Sequence, residues 1–242
     1  MIQHLSLHIN DDNRFVLPYI SRALPGVKIE EPGSDSATDF AIMLSSADIY
    51  GAGSLCNAAE TDAIDTNSPH CAAEKAFAEW AAATNVPAVI LRCADIIGTG
   101  MTGFPRELAN AIWRGTFFHF PGNEARRSAI HASDLAAIIA ALAEANAGGD
   151  VKTEIYNIAD GSDPTVHALA EALAFRMSNK RISTLSTRPQ QWLGRVVYGK
   201  KKYAAYTTSR TVSTARLAAA IAYSTTPVCE YLRTHNYDES SL

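Results

Sequence analysis

The chain is short of the features that would tie it to an oxidising compartment, to nucleic acid or to a membrane. It has no cysteines at Cys-x-x-Cys spacing: Cys56, Cys71, Cys93 and Cys229 stand far apart. That excludes a zinc knuckle and a thioredoxin-like motif, leaves no metal-ligand pattern, and suits reduced thiols in a cytosol. Basic clusters are missing apart from Lys200, Lys201 and Lys202, and the formal net charge is -4. No electrostatic footprint for nucleic acid or an anionic membrane surface follows from that balance. No apolar run reaches the length that a membrane span needs. The opening MIQHLSLHIN sets two histidines among its apolar positions and lacks a basic segment followed by an apolar one, so it does not read as a signal peptide. A cytoplasmic protein with neither a nucleic-acid nor a membrane partner is expected.

What is present is ordinary globular material. With 242 residues, 47% hydrophobic and 19% charged, the chain can bury a substantial core without disulfides. HLSLHI alternates as a half-buried strand does. Asp11 and Asp12 offer N-caps for a helix carrying Phe15, Val16, Tyr19, Ile20 and Leu24, closed by Pro25-Gly26. VKIEE suggests a short second strand and PGSDSATD a turn, while FAIML is a continuous apolar run of the kind buried on both faces of a parallel sheet.

Strand and helix signals then alternate. SPHCAAEKAFAEWAAATN reads as an alanine-rich helix with Pro69 in its first turn and Asn85 near its end. VPAVILRC reads as a buried strand, followed by the glycine-rich loop IIGTGMTG and a helix from Pro105 to Gly115. FFHF is a short strand, PGNEARR a polar turn, and SDLAAIIAALAEAN an amphipathic helix capped by Ser133 or Asp134. EIYNIA is a strand, VHALAEALAFRM a helix, and ARLAAAIAY a last helix in a stretch of mixed signals. The alternation implies βαβ units and an α/β fold with a parallel, doubly wound sheet. Residues 1–177 form its core, and 178–242, where the alternation weakens, a small C-terminal lobe of one compact unit.

Three segments carry a resemblance to the extended short-chain dehydrogenase/reductase family, the NAD-dependent epimerases and dehydratases. LSSADIYG, Leu44 to Gly51, is similar to the family's Ser-Ser-x-x-x-Tyr-Gly segment. PHCAAEKAFAE, Pro69 to Glu79, is similar to its Tyr-x-x-x-Lys helix. VILRCADIIGTG, RRSAIHASDLA and EIYNIADG are similar to its arginine-led strand, its His-x-x-Asp helix entry and its last core strand. The resemblance implies a Rossmann-like sheet with a substrate lobe, an NAD or NADP cofactor, a nucleotide-sugar-like substrate and dimerisation through paired helices. One of those helices would be the helix carrying Cys71 and Lys75.

By that resemblance Ser46 holds the substrate hydroxyl or carbonyl, and Lys75 holds the nicotinamide ribose and assists a tyrosine phenol. Register taken from Lys75 and Glu79 puts Cys71 where the tyrosine belongs. A one-residue slip would offer His70 instead, although His70 and Lys75 then lie off a shared helical face. A thiol is shorter than a phenol and hydrogen-bonds less well, so Cys71 reads either as a small apolar filler or as a thiolate favoured by Lys75. Ser46 also reads as a turn-forming serine and Lys75 as a solvated helix residue. Arg127 matches an arginine that binds sugar-nucleotide phosphates, or is a solvated turn arginine. Asp95 stands where nucleotide-sugar enzymes have asparagine, and its carboxylate faces phosphate unfavourably. His131 reads as buried and structural.

The cofactor loop departs further. The family's first strand leads into a Gly-x-x-Gly-x-x-Gly turn whose bare amides bind pyrophosphate. Here the strand runs into INDDNRF, with no glycine and two aspartates. Only 43 residues precede LSSADIYG, too few for several βα units of roughly 30 residues each. The expectation is therefore a reduced Rossmann-like sheet, with no NAD or NADP bound in the normal way. The chain reads as a degenerate member serving as a binding, regulatory or assembly subunit, as a homodimer or paired with a complete relative. The alternative is an active NAD(P)-dependent epimerase, dehydratase or reductase acting on a nucleotide sugar.

Overall fold

The alternation at the amino end becomes the second strand from the edge of a parallel sheet. The structure, a computed structural model, describes residues 2–30, 38–146, 153–178, 180–184 and 190–234. Its elements run β1 (His4–His8), a 3-10 turn (Asp11–Val16), α1 (Leu17–Ala23), β2 (Lys28–Glu30), β3 (Phe40–Ser46), a second 3-10 turn (Ala47–Tyr50) and β4 (Leu55–Ala58). Next come α2 (Pro69–Thr84), β5 (Ala88–Cys93), β6 (Asp95–Ile97), α3 (Gly103–Trp113), β7 (Phe118–His119), β8 (Ala129–His131) and α4 (Ala132–Ala145). The chain continues through β9 (Thr153–Ile158), α5 (Val166–Arg176), β10 (Ser183–Thr184), α6 (Gln190–Thr207), β11 (Arg210–Val212), α7 (Ala215–Ala220) and α8 (Val228–Thr234).

Five strands form the central sheet in the order β2-β1-β3-β5-β9, with every pairing parallel. The order reverses between β1 and β3, and such a switch point opens a crevice at the carboxyl ends of the strands. Among the described residues β1 and β2 precede the strand FAIMLSS, and the five strands make the Rossmann-like parallel sheet that the alternation implies. The turn expected over PGSDSATD falls mostly on residues outside the described set.

Side chains alternate between the two faces of the sheet. On one face Leu5, Leu7, Phe40, Ile42, Leu44, Val89 and Leu91 pack with Ile20 of α1 and with Leu135, Ile138, Ile139 and Leu142 of α4. On the other, Ala41, Met43, Ala88 and Ile90 pack with Phe77 and Ala81 of α2. That second cluster is centred on β3 and β5. Towards the β2 edge the same face carries His4, Ser6 and His8 of β1 with Lys28 and Glu30 of β2. Lys28 holds the Glu30 carboxylate, which also lies 3.7 Å from His4 Nδ1. Polar pairing there lets half a sheet face stand without an apolar lid, since buried or half-buried charge must be paired.

Several local expectations shift by a few residues. Asn10, not Asp11 or Asp12, caps the first turn, its side chain accepting the Asn13 N–H, and that turn is 3-10 before it relaxes into α1. His131 caps α4 through Nδ1, which accepts the Ser133 N–H at 3.1 Å. Asp134 instead accepts the Thr226 N–H. α3 begins at Gly103, ahead of Pro105. α6 and α8 lie in the stretch of mixed sequence signals. α6 has a kink at Gly199, whose φ of 74 lies outside the helical region. After residue 177 the chain packs back on what precedes it: β11 pairs with β4, and Tyr206, Val228 and Leu232 join the apolar cluster of α3 and α5.

His8 ends β1 with its ring edge-on to Phe77 at 4.6 Å and tilted to Trp80 at 4.7 Å. Burial there pushes its imidazole down to about 4. The unfolded chain then takes up this proton near pH 6.5 and the folded chain only near pH 4, so the stability tied to neutral His8 is present above 6.5 and lost as pH falls through that window. Between pH 7 and pH 4.5, urea denaturation of the parent should lose about 1 kcal/mol more than that of His8→Phe, the figure being reduced for residual solvent contact. Equal pH dependence in the two proteins would contradict the assignment.

Candidate functional site

The site is organised from below by a buried polar network that the sequence reading did not single out. Arg92 stands on β5 with its side chain 4% exposed against Glu74 of α2 at 7%. Its Nε donates to both carboxylate oxygens at 3.1 and 3.2 Å, and Nη2 donates to Oε2 at 2.8 Å. The Ser45 hydroxyl donates to Glu74 Oε1 at 2.6 Å. Arg92 Nη1 donates to the Tyr50 hydroxyl, which donates to Asn157 Oδ1 at 2.7 Å on β9. Burial raises the Tyr50 phenol above its ordinary range against the pull of Arg92. A charge-assisted pair of this kind is strong because both partners are desolvated and their hydrogen-bonding capacity is filled.

Glu74 sets the rotation of α2. With Ser68 as N-cap, Pro69 at the first helical position and Asn85 in the left-handed region as its stop, α2 buries Glu74, Phe77 and Ala81. One turn before Glu74 on that inward face stands His70. Lys75 and Glu79 are rotated outward: the Lys75 side chain is 75% exposed and its Nζ lies 3.8 Å from Glu79 Oε1. Lys75 and Glu79, which set the register in sequence, therefore face solvent, while the Arg92 guanidinium draws Glu74 into the core.

Above the network, a cavity of about 240 Å³ opens at the switch point. Asn10, Asp12 and Asn13 of the turn after β1 form one wall, and Ser46, Asp48 and His70 another. Asp95, Thr102, Phe104 and Arg127 close it. Of the remnant triad expected from sequence, only Ser46 lines this space. Cys71 is half-buried against the cluster of Ile49, Tyr50, Ala58, Ala159 and Val212, packed as a small apolar side chain, and Lys75 points to solvent. His70 occupies the inward place, and no hydrogen bond or ion pair among the described residues engages its ring. The Ser46 hydroxyl accepts the Asp48 N–H at 3.1 Å, capping the turn after β3 as a strand-end serine does.

Arg127 and Asp95 are brought together. Arg127 Nε donates to Asp95 Oδ2 at 2.6 Å, and the guanidinium carbon sits 3.7 Å from the centroid of the Phe104 ring. Arg127 is 7% exposed, so it is not a solvated turn residue. Nor does it face the cavity as an uncompensated cation. Asp48 is likewise paired, with Arg210 at 2.9 Å. Arg210 also donates to the Gly51 and Gly53 carbonyls and ties β11 to the loop after β3.

The turn after β1 decides what can lie along it. The Asn13 N–H is taken by the Asn10 side chain at 3.1 Å and the Asn10 carbonyl at 3.0 Å. Asp11 pairs with Arg14 at 3.0 Å, and Asp12 is exposed at the rim of the cavity. A pyrophosphate needs bare amides and no negative neighbours there. At the end of β2, where dinucleotide folds carry a ribose-binding acid, Glu30 is held by Lys28 and lies near His4. Among the described residues no group of three or more His, Cys, Asp or Glu is placed to hold a metal ion, and no helix is long and apolar enough to cross a membrane.

Residues 35–159 match the NAD dependent epimerase/dehydratase family. The chain belongs to that family. Its fold is similar to those of known structures at low sequence identity. A candidate epimerase from Burkholderia cenocepacia J2315 gives a TM-score of 0.58 at 20% identity, with 83% of this chain and 63% of that one covered. MoeE5 in complex with UDP-glucose and NAD gives 0.61 at 15%, with 96% of each chain covered. RMD from Pseudomonas aeruginosa, complexed with NADPH, gives 0.62 at 14%, with 94% of this chain and 97% of that one covered. The chain therefore spans 63% of the length of the Burkholderia protein. No curated protein sequence matches it. Ser46 at the end of β3 and His70 of α2 line the crevice, while Cys71 and Lys75 lie outside it.

Two measurements check this register. Arg92→Met strands the Glu74 carboxylate in the core and should lower the unfolding free energy by about 3–5 kcal/mol, with much of that regained in Glu74→Leu/Arg92→Met. Lys75→Met and Glu79→Gln should each stay within about 0.5 kcal/mol of the parent. A Lys75 variant as damaging as Arg92→Met would restore the other register. In a Cys56→Ser background, iodoacetamide labelling of Cys71 should change less than about twofold on Lys75→Met, because the lysine is turned to solvent rather than poised beside the thiol.

Proposed function

We propose that this protein is a member of the epimerase/dehydratase family that binds a small molecule in the switch-point cavity without hydride chemistry, and so serves as a binding, regulatory or assembly subunit. The observation that carries this reading is the turn after β1. Its Asn13 amide is consumed by Asn10, and its carboxylates stand where a dinucleotide's pyrophosphate would have to lie. Without a held nicotinamide there is no hydride carrier. The position of α2 supports the same reading, since neither a lysine nor a phenol of that helix lines the cavity. Assembly with a second copy, or with a complete relative, would use the outer face of α2. There Ala72, Ala73 and Ala76 are exposed and allow a second helix to approach closely.

The test is calorimetric titration with NAD, NADH, NADP and NADPH. No saturable binding tighter than about 1 mM is expected, against the micromolar affinity, about 8 kcal/mol, of a working cofactor site. Micromolar binding of any of the four would overturn the reading in favour of an active oxidoreductase or epimerase on a nucleotide sugar. Sedimentation of the parent against Ala76→Arg tests the assembly surface: a dimer that dissociates in the variant supports it, and an assembly unaffected by the arginine rejects it.

A further inference from the structure

We infer that the cavity takes an uncharged, hydroxyl-rich ligand of monosaccharide size, with the His70 imidazole as the hydrogen-bonding group that holds it. This rests on the reading of the protein as a small-molecule binder. It adds the ligand's chemistry and the residue that recognises it.

Size comes first. At about 240 Å³ the cavity lies just below the roughly 300–1,000 Å³ of pockets for drug-sized ligands. A single sugar ring or a cyclic polyol suits that size.

Charge comes next. Three carboxylates, Asp12, Asp48 and Asp95, face one guanidinium, Arg127, and one imidazole, His70. Asp95 and Arg127 neutralise each other and Asp48 is neutralised by Arg210, which leaves Asp12 in excess. A phosphate or carboxylate ligand would bring a second negative charge to a wall that already holds one, with no free cation to meet it. An ammonium ligand would find that single carboxylate at the exposed rim, where attraction is weak.

The hydrogen-bonding inventory then selects hydroxyls. Ser46 accepts the Asp48 N–H, so its own O–H is available to donate. The Asn10 side-chain oxygen is used by Asn13, which leaves its NH₂ group as donor. Asp95 spends Oδ2 on Arg127 and has Oδ1 as acceptor. His70 presents one ring nitrogen as donor and the other as acceptor in its neutral form. Donors and acceptors thus alternate around a space with no strong net field, and a hydroxyl can answer either kind. Phe15 and Phe104 supply apolar surface for the C–H face of a ring. His70 is the member of this set whose hydrogen-bonding groups are not committed elsewhere among the described residues. It stands on the helix whose rotation the Glu74–Arg92 pair fixes, so the imidazole is held in place by core structure.

The experiment is protein-observed NMR on the full chain. It titrates D-glucose, D-galactose, D-xylose and myo-inositol beside glucose 1-phosphate, glucosamine and NADH. At least one uncharged probe should bind saturably in the millimolar range, shifting the His70 ring and the Ser46 amide. Glucose 1-phosphate should bind at least tenfold more weakly than the best uncharged probe. His70→Ala, checked for folding by its amide spectrum, should weaken that probe tenfold or more, and His70→Gln, which keeps a donor and an acceptor, should lose less. Tighter binding of glucose 1-phosphate or glucosamine, no saturable binding by any uncharged probe, or undiminished binding in His70→Ala would overturn the inference and leave the absence of hydride chemistry standing. Micromolar NADH binding with shifts at Asn13 and Glu30 would sink the underlying functional reading itself.

Discussion

The ion pair between Glu74 and Arg92 is the constraint on which the rest of the structure depends. It joins α2, packed on one face of β3 and β5, to the centre of the sheet, with both side chains almost fully buried. A buried charge is tolerated only when paired and hydrogen-bonded. Here the capacity of both partners is filled by Ser45, Tyr50 and the Glu60 carbonyl as well as by each other. Tyr50 passes the network on to Asn157, whose own side chain donates to the Ala58 carbonyl at 2.9 Å. Four segments far apart in sequence are thereby fixed at one depth, immediately beneath the crevice. The choice of which α2 residue faces that crevice follows from this anchor, because a helix advances about 100° per residue and Glu74 can point only one way.

The amino-terminal edge of the sheet is built differently from its centre. Where β3 and β5 present alanine, methionine and isoleucine to α2, β1 and β2 present histidine, serine, lysine and glutamate on the same face. Asp39, entering β3, accepts the N–H groups of Gln3 and His4 at 2.7 and 2.9 Å, which holds its carboxyl below the usual range and pins the start of β1. The edge of the sheet is thus held by polar and backbone interactions. The interior is held by packing.

Fold was legible in the sequence because it rests on periodicity. FAIML and VPAVILRC are apolar without alternation, as strands buried on both faces must be, and both lie in the central sheet. The stop at Asn85 and the start at Ser68-Pro69 use local capping chemistry that acts within a few residues. The site was less legible because its register depends on a contact 18 residues apart in the chain. α2 carries two glutamates, and nothing local marks Glu74 rather than Glu79 as the buried one. One signal was available: Arg92 ends an otherwise apolar strand, and a charge in a buried run requires a partner of opposite sign nearby. Taking Glu74 as that partner would have turned His70 inward and Lys75 outward. The pairing of Asp95 with Arg127 was beyond sequence reasoning, since β6 and the segment before β8 meet only through the second, two-stranded sheet.

Scaffold and chemistry separate cleanly in this chain. The interactions that keep the family fold lie below the carboxyl ends of the strands: the apolar layers on both faces and the Glu74–Arg92 network. The groups that would hold a cofactor lie above, in the turn after β1, where one amide and two carboxylates suffice to change what can bind. Substitutions of Asp11 and Asp12 in that turn cost the fold little, because both are exposed and the turn is capped by Asn10. Substitutions in the network cost it several kcal/mol, because they leave a charge without a partner in the core. Sequence can therefore change at the exposed positions of the turn and at the cavity-facing helix position with little cost to the core. This asymmetry agrees with a family match, residues 35–159, that runs through the scaffold strands from β3 to β9 and does not include the turn after β1. It also makes His70, held at the boundary between the two regions, the place where a new ligand preference can arise without disturbing what lies beneath.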